Sequence, residues 1–364
     1  MTEIKYTPSD EAELSELVAS ATAPLCISGG GTRGVHADGA GLSTSALSGI
    51  TLYEPGAMTV VAKAGTPVAE IEAALAAENQ RLAFEPMDHR ALLGTTGTPT
   101  IGGVMAANIS GPRRISVGAA RDFLLGVRYV DGMGQIVKNG GRVMKNVTGY
   151  DLVKLMAGAH GTLGVLSEVS LKVLPRPEAQ STLVLHGLDD QAAVGALAGA
   201  LGSPFEVSAG AHDPAAGETL LRLEGFSESV SYRVEQLKTL LGGEITVEEN
   251  NIARWEAWRD VASFADVDGD VWRISCKPSD GPALAAKSGA QAVLYDWAGG
   301  LIWLRTVAGY DLRSALGGYD GHATLVRGTG QARFQPESAG VARLTAGLRA
   351  RFDPRGLLNA GLMG

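Results

Sequence analysis

The sequence predicts a two-domain α+β protein with an unusually glycine-rich first domain. The chain has 364 residues, which exceeds the roughly 250 to 300 residues at which a single core usually stops growing. Its 49 glycines are about twice the average usage of about 7%, and they cluster in three segments of the first half. The second half alternates between predicted strands and helices, as expected for a separate α+β domain.

The first domain is predicted to contain short helices and strands around the glycine-rich segments. A first helix is expected from Thr7 as N-cap and Pro8 at the first helical position, with Leu14, Leu17 and Val18 on one face. A second helix is expected after Pro67. Alternating or continuous apolar runs predict strands at 50–54, 59–64, 124–130 and 170–174.

The second domain is predicted to begin after Pro175-Arg176-Pro177 and to hold a mostly antiparallel sheet covered on one face. Its strands are predicted at 220–223, 245–247, 271–275, 292–295, 301–307 and 323–326. Its helices are predicted at 229–241 and 252–264, and a last helix is predicted at 338–352.

The first glycine-rich segment, residues 28–34, follows a short apolar strand and holds four glycines. Glycine can take positive φ, so successive backbone N–H groups can converge on a phosphate or pyrophosphate. Gly29, Gly31 and Gly34 also match the G-x-G-x-x-G dinucleotide pattern. That pattern requires a helix directly after the glycines, whereas residues 35–45 are polar and rich in glycine. We therefore reject a Rossmann loop, and a glycine turn without a ligand stays as the alternative.

Two further segments, 94–118 and 145–165, repeat this small-residue composition. A loop of some 25 small residues inside a compact domain is uncommon unless it is functional. Three such segments in one domain indicate one elongated cofactor held along its length.

Charge and cysteine content limit the ligands and metal centres that this chain can be expected to hold. The net charge of −8 and the pI near 5.4 disfavour a nucleic-acid surface, because phosphate backbones are bound through clustered Lys and Arg. Two cysteines, Cys26 and Cys276, cannot supply a disulfide framework, an iron–sulfur cluster or a zinc site alone. With no signal peptide or 18-residue apolar run in view, we expect a cytoplasmic protein without a membrane span.

Taken together, the motifs resemble those of the FAD-binding fold of the vanillyl-alcohol oxidase type, and within it the flavoprotein E subunits of bacterial glycolate oxidase. The resemblance is carried by residues 28–34, 97–111, 118–122, 145–165 and the ending 352–361. It implies a two-subdomain FAD-binding domain over 1–178 (about 1–83 and 84–178), an α+β cap domain over 179–337, and a C-terminal helix and segment over 338–364 that returns to the FAD domain.

The resemblance further implies that residues 28–34 cradle the FAD pyrophosphate, 99–110 run along the isoalloxazine and ribityl, and 158–165 reach the adenosine half. Asn108 and Ser110 could instead bond local backbone. The cofactor-binding residues predicted in this way are Ser28, Gly29, Gly30, Gly31, Thr32, Arg33, Gly34, Pro99, Thr100, Ile101, Gly102, Gly103, Asn108, Ser110, Gly158, Gly161, Thr162, Gly164 and Val165.

Three departures from the family pattern qualify the resemblance. Gly31 stands where covalently flavinylated members carry a histidine, so we expect non-covalent FAD. Isolated His186, His212 and His322 replace the histidine-rich metal motif of related 2-hydroxy-acid dehydrogenases, so we expect no metal. The family's C-terminal segment usually reads Asn-Pro-Gly followed by a cation, whereas this chain ends in Asn359-Ala360-Gly361-Leu362 and lacks that cation.

The resemblance implies an FAD-binding subunit of a glycolate oxidase complex. Such a subunit would oxidise glycolate or a similar small 2-hydroxy acid to the 2-oxo acid and pass electrons to a paralogous flavoprotein subunit and an iron–sulfur subunit, which could hold it at a membrane periphery. The alternative is a non-catalytic flavin relay or structural subunit beside a catalytic paralogue. A third hypothesis is that the chain is a free-standing oxidase that uses dioxygen.

The sequence does not identify a catalytic base. Lys145 and Tyr150 fall in a family motif near the expected flavin, and His89 and His160 lack a partner visible in the sequence. Trp255 and Trp258 are predicted to pack in the core. Candidate clamps for a substrate carboxylate, each with a structural role as the alternative, are Arg113, Arg114, Arg273 and Arg305.

Overall fold

The computed structural model describes residues 3–142 and 149–363, and the chain divides into two compact units. The first unit comprises Met1–Ser110, Gly118–Arg176 and Pro336–Gly364, and the second comprises Gly111–Val117 and Pro177–Gln335. Residues 111–117, which the sequence analysis assigns to the first domain, thus belong to the second unit. Lys145 and the beginning of the third glycine-rich segment lie outside the described residues.

The helices of the described chain are α1 (Glu11–Ser20), α2 (Val68–Ala77), α3 (Arg90–Leu93), α4 (Ile101–Ala106), α5 (Arg114–Val117), α6 (Ala120–Phe123), α7 (Leu152–Met156), α8 (Asp190–Leu201), α9 (Ser227–Leu241), α10 (Ile252–Arg259), α11 (Gly281–Lys287), α12 (Leu312–Leu316) and α13 (Ala339–Phe352). Short 3₁₀ turns lie at Pro55–Ala57, Ala262–Phe264, Pro278–Asp280 and Trp297–Gly299.

The strands are β1 (Ile4–Tyr6), β2 (Leu25–Ser28), β3 (Ala40–Ser43), β4 (Ile50–Glu54), β5 (Thr59–Lys63), β6 (Gln80–Arg81), β7 (Leu124–Val130), β8 (Ile136–Gly140), β9 (Val165–Lys172), β10 (Leu174–Pro175), β11 (Ala179–His186), β12 (Ala209–Asp213), β13 (Glu218–Gly225), β14 (Ile245–Glu249), β15 (Asp270–Cys276), β16 (Ala292–Asp296), β17 (Leu301–Thr306) and β18 (Gly321–Arg327).

The first unit is built on two main sheets. Parallel strands in the order β1-β3-β2 form one, and antiparallel strands in the order β4-β5-β9-β7-β8 form the other. Leu14 and Val18 of α1 are buried in a core with Leu25 and Leu42, as predicted. The helix starts later than predicted because Asp10 is its N-cap, with its carboxylate accepting from the amide of Glu13 at 2.8 Å.

The first glycine-rich segment lies between β2 and β3, the second lies between β6 and β7, and the described part of the third precedes β9. No helix opens directly after residues 28–34, so the rejection of a Rossmann loop is confirmed. The 94–118 segment is not structureless, because it contains α4 and α5. Thr100 caps α4, its hydroxyl accepting from the amide of Gly103 at 3.4 Å, and the apolar side chains of Ile101 and Met105 are fully buried.

The second unit is an eight-stranded sheet in the order β14-β11-β13-β12-β16-β17-β15-β18, in which each described strand pair is antiparallel. The prediction of an antiparallel sheet is confirmed, although β11 and β12 were not predicted. The prediction that helices cover only one face of this sheet is wrong. Helices α8 and α9 pack on one face through Leu197 and Val234, whereas Trp255 of α10 packs beside Val184 and Leu220 of the other face.

Among the described residues, no helix is long and apolar enough to cross a bilayer.

Candidate functional site

The loop that follows β2 lines a cleft in the first unit. The loop contributes Ser28–Arg33 without a break, and the second glycine-rich segment contributes residues on both sides of the start of α4. The lining residues are Ile27, Ser28, Gly29, Gly30, Gly31, Thr32, Arg33, Val35, Thr44, Ala64, Met87, His89, Pro99, Thr100, Gly102, Gly103, Val104, Ala106, Ile109, Met156, His160, Gly161, Gly164, Val165, Leu166 and Asn359.

Two glycines of this loop have different physical tasks. A Cβ on Gly30 would lie 1.7 Å from the carbonyl oxygen of Thr98, so the loop packs backbone to backbone on the second glycine-rich segment. A Cβ on Gly31 would meet nothing within 4 Å, and Gly31 has φ of +70°, a region that most side chains disfavour. The absence of a side chain at Gly30 therefore allows the two segments to pack closely. Gly31 lies where the loop borders open space.

The composition of the lining suits an anionic ligand with an apolar part. No described residue that lines the cleft is Asp or Glu, whereas Arg33 contributes a guanidinium beside the backbone amides of the loop. Apolar side chains such as Met87, Val104 and Met156 line other parts of the wall. Oriented amides can hold a phosphate without a lysine cluster, and apolar walls can accept a planar ring.

Of the predicted cofactor residues, Ser28–Arg33, Pro99, Thr100, Gly102, Gly103, Gly161, Gly164 and Val165 line this cleft together. Six others do not line it, namely Gly34, Ile101, Asn108, Ser110, Gly158 and Thr162.

Local bonds explain the position of several residues behind the cleft wall. Asn108 accepts from the amide of Arg121 through its side-chain oxygen at 2.9 Å, and the hydroxyl of Ser110 accepts from the amide of Ala120 at the same distance. Thr162 donates its hydroxyl to the carbonyl of Ala159 at 2.7 Å. These side chains fix the shape of the loops around the cleft.

Asn359, in the C-terminal segment, is a lining residue that the sequence analysis did not assign. It is buried, its side-chain oxygen accepts from the amide of Ile27 at 2.7 Å, and its side-chain nitrogen donates to the carbonyl of His160 at 2.8 Å. Backbone bonds between Leu25 and the C-terminal segment continue this contact. Asn359 thus ties β2, which leads into the glycine loop, to the third glycine-rich segment.

A second cleft lies on another side of the same loop. It shares Ser28–Gly31, Val35 and Thr100 with the first and adds Cys26, His36, Ser43 and Pro67 among its walls. The glycine loop therefore borders two neighbouring clefts of the first unit.

The predicted acid–base candidates are dispersed. His89 and His160 line the first cleft, and His89 contacts the carbonyl of Met87 through Nδ1 at 3.2 Å. Tyr150 is 87% exposed, and Lys145 lies outside the described residues.

The buried Trp255 donates to the hydroxyl of Thr182 at 2.8 Å, which confirms its predicted packing role.

Two of the candidate arginines serve the structure of the second unit. Arg113 donates to both carboxylate oxygens of Glu224 at 2.8 and 2.9 Å, and both side chains are buried. Arg305 donates to the carbonyl of Asp268 and to Gln291. Arg114 and Arg273 instead flank the ring of Trp297.

His186, His212 and His322 belong to no cluster of three or more potential metal ligands in the described part of the chain. His212 is fully buried, contacts the hydroxyl of Thr219 through Nδ1 at 3.0 Å and faces Asp190 at 3.5 Å. Burial lowers the pKa of His212, and the carboxylate of Asp190 partly opposes that shift.

Comparisons with known proteins define the class. Residues 3–140 match the model of an FAD binding domain. The fold is similar to that of alkyldihydroxyacetonephosphate synthase, with a TM-score of 0.73 over 98% of this chain and 75% of that chain, at 15% identity. The chain is therefore an FAD-binding protein with a fold of the vanillyl-alcohol oxidase type.

A full-length relative narrows the class to a family. The chain is 35% identical over 366 aligned residues to glycolate oxidase subunit GlcE of Escherichia coli, which covers 99% of this chain and 98% of the relative. It belongs to the GlcE family of glycolate oxidase subunits. Glycolate oxidase subunit GlcD of Bacillus subtilis is 41% identical over 85 residues, or 23% of this chain and 18% of GlcD. A D-2-hydroxyglutarate dehydrogenase of Xanthomonas citri is 33% identical over 35% of this chain and 25% of its own length.

Proposed function

We propose that this subunit takes part in the oxidation of glycolate, or of a similar small 2-hydroxy acid, to the 2-oxo acid, and that the electrons pass to partner subunits. The observation that carries the proposal is the acid-free cleft around the Ser28–Arg33 loop, combined with membership of the GlcE family. The cleft fits the anionic and apolar parts of FAD, which supplies the hydride acceptor when bound. The chain's own residues hold and orient the cofactor.

We infer that FAD is held without a covalent bond. Gly31 offers no nucleophile where the loop faces open space. Precipitation of the purified protein with acid is expected to release all of the flavin into the supernatant. Flavin that stays with the precipitated chain would overturn this inference.

The proposal of partner subunits rests on two features. A four-iron or two-iron cluster is usually held by four thiolates, and Cys26 and Cys276 are the two cysteines of this chain. In addition, no described residue of α13 is buried, and Val341, Leu344 and Leu348 expose an apolar stripe at helical spacing. A stripe of this kind is typical of a helix that packs on another protein.

A second candidate function is that of a flavin relay or structural subunit beside a paralogous catalytic flavoprotein. The similarity to GlcD covers 23% of this chain and that to D-2-hydroxyglutarate dehydrogenase covers 35%. This limited likeness favours a division of labour between paralogous subunits.

Anaerobic reduction separates the two candidates. The purified chain is mixed with glycolate without oxygen, alone and with its partner subunits, and the flavin absorbance near 450 nm is followed. Bleaching in the isolated chain would support catalysis by this subunit and contradict the relay. Bleaching that requires the catalytic paralogue would support the relay. A purified, folded chain without flavin would contradict both flavin-dependent roles and support a structural subunit.

A further inference from the structure

One face of the sheet in the second unit gathers cationic side chains. Pairing of β15 with β18 places Ser275 opposite His322 and Arg273 opposite Thr324. Residues that pair across strands, and residues two positions apart on one strand, share a face. Arg273 and His322 are therefore diagonal neighbours on one face, whereas the adjacent Trp272 belongs to the apolar core of the opposite face.

Trp297 brings a second arginine to this group. It follows β16 in a turn where it takes φ of +50°, and its indole N–H donates to the carbonyl of Gly111 at 3.0 Å. The guanidinium carbon of Arg114 lies 4.4 Å from the Trp297 ring centroid, and that of Arg273 lies 4.9 Å from it. The indole thus holds two guanidinium groups in fixed positions.

The charges of this cluster act on one another. Burial and the charge of Arg114 lower the pKa of Arg273 to about 10, while the carboxylate of Asp296 opposes the shift. Burial and the charges of Arg273 and Arg114 likewise lower the pKa of His322. Like charges held this close are costly, and an anion bound among them would reduce that cost.

Two neighbouring arginines, Arg113 and Arg305, have identified structural partners. Arg113 is matched by the buried carboxylate of Glu224, and Arg305 is engaged by Asp268 and Gln291. Arg273 is half-buried and His322 is exposed, so a small solute can reach the cluster from solvent.

We propose that Arg114, Arg273, Trp297 and His322 form a binding site for the carboxylate group of a small organic acid in the second unit. The guanidinium fork matches a carboxylate in shape and charge, and the indole face keeps both forks in place. The choice of a carboxylate rests on the proposed function, whereas the anion site itself rests on the four side chains.

The test is a binding titration of the full FAD-containing chain with oxalate, which carries no hydroxyl to oxidise, and with glycolate, at constant ionic strength. We expect saturable binding that weakens at least tenfold in Arg273→Gln and in Arg114→Gln. Arg305→Gln is the matched control, because it removes the same charge from the adjacent strand β17, and we expect it to bind within about twofold of the wild type. Circular dichroism and melting temperature verify the fold of each variant.

Five outcomes decide the proposal. Wild-type affinity in Arg273→Gln would overturn it, as would an equal loss in Arg305→Gln or an absence of saturable binding to the wild type. Equal affinity for sulfate would overturn the carboxylate preference and leave a general anion site. Glycolate oxidation that persists in Arg273→Gln together with unchanged oxalate binding would refute this site without refuting the proposed function.

Discussion

The two proposed anion sites lie in different units and are built in different ways. In the first unit the cleft is formed largely by main chain, with Gly30 packed on Thr98 and Gly31 facing open space. In the second unit the anion site is formed by side chains, with two guanidinium groups on the ring of Trp297. A site formed by main chain is sensitive to changes in glycine conformation, whereas a site formed by side chains is sensitive to loss of charge. The following substitutions test these two kinds of sensitivity and the packing that supports each unit.

The largest expected effect is that of Gly30→Ala. Its new Cβ would lie 1.7 Å from the carbonyl oxygen of Thr98, so the two glycine-rich segments must separate. Overpacking of this kind costs about 3 kcal/mol or more where backbone blocks relaxation. We expect a clear loss of bound FAD and a lower melting temperature. Gly347→Ala, in open space on the exposed helix α13, is the control and is expected to keep both values.

A comparable loss of stability, without loss of flavin, is expected from Arg113→Met. This variant removes the guanidinium that donates two hydrogen bonds to the buried Glu224. Breaking a buried pair costs about 3 to 5 kcal/mol because one charge stays behind. Thermal unfolding and the flavin-to-protein ratio measure the two quantities. The exposed Arg121→Met, whose pair with Asp122 spans 3.8 Å, is expected to cost below about 1 kcal/mol. Equal losses of unfolding free energy in Arg113→Met and Arg121→Met would contradict the expected difference between a buried and an exposed ion pair.

An intermediate effect is expected from Asn359→Leu. Without the side-chain amide, the buried amide of Ile27 and the carbonyl of His160 lose a partner each, which costs about 1 to 3 kcal/mol per group. We expect FAD to dissociate faster, as measured by flavin fluorescence after dilution. Unchanged dissociation would show that the C-terminal segment does not shape the cleft.

The smallest effect is a pH dependence in the second unit. The pKa of His212 is lowered by burial from its usual 6.5, so the unfolded chain takes up this proton first as pH falls. The free energy of unfolding therefore declines below about pH 6.5. His212→Gln is expected to reduce that decline, as measured by denaturant titrations from pH 5 to 8. The partly exposed His186→Gln is the control. A decline of the same size in His212→Gln would contradict this origin.

The sequence predicts the backbone site better than the side-chain site, for a physical reason. Clustered glycine is visible in the sequence, so the residues of 28–33 and most of 99–103 that line the cleft could be predicted, while their contact with FAD stays a prediction. Asn359 could not be assigned, because its contact with Ile27 joins residues 332 positions apart. Arg114 and Arg273 were candidates among four arginines. Only the strand register and the turn at Trp297 distinguish them from Arg113 and Arg305.

The helices and strands also differ in how well the sequence predicts them. Apolar patterns locate β4 and β7 at the predicted residues, whereas β12 (Ala209–Asp213) is rich in small and polar residues and was not predicted. The helix α4 was hidden in a run of glycine and small residues, which have weak helical preference. Its capping by Thr100 and the burial of Ile101 stabilise it.

The central claim is that the Ser28–Arg33 loop holds the pyrophosphate of FAD, and the variants Gly31→Asp and Gly31→Asn test it most directly. Asp and Asn are of similar size and both tolerate positive φ, and a Cβ at Gly31 meets no protein atom within 4 Å. The two variants therefore differ mainly in charge at the mouth of the loop. In FAD titrations of the flavin-free, folded chains, we predict at least tenfold weaker binding for Gly31→Asp than for Gly31→Asn. Equal affinities would contradict the claim.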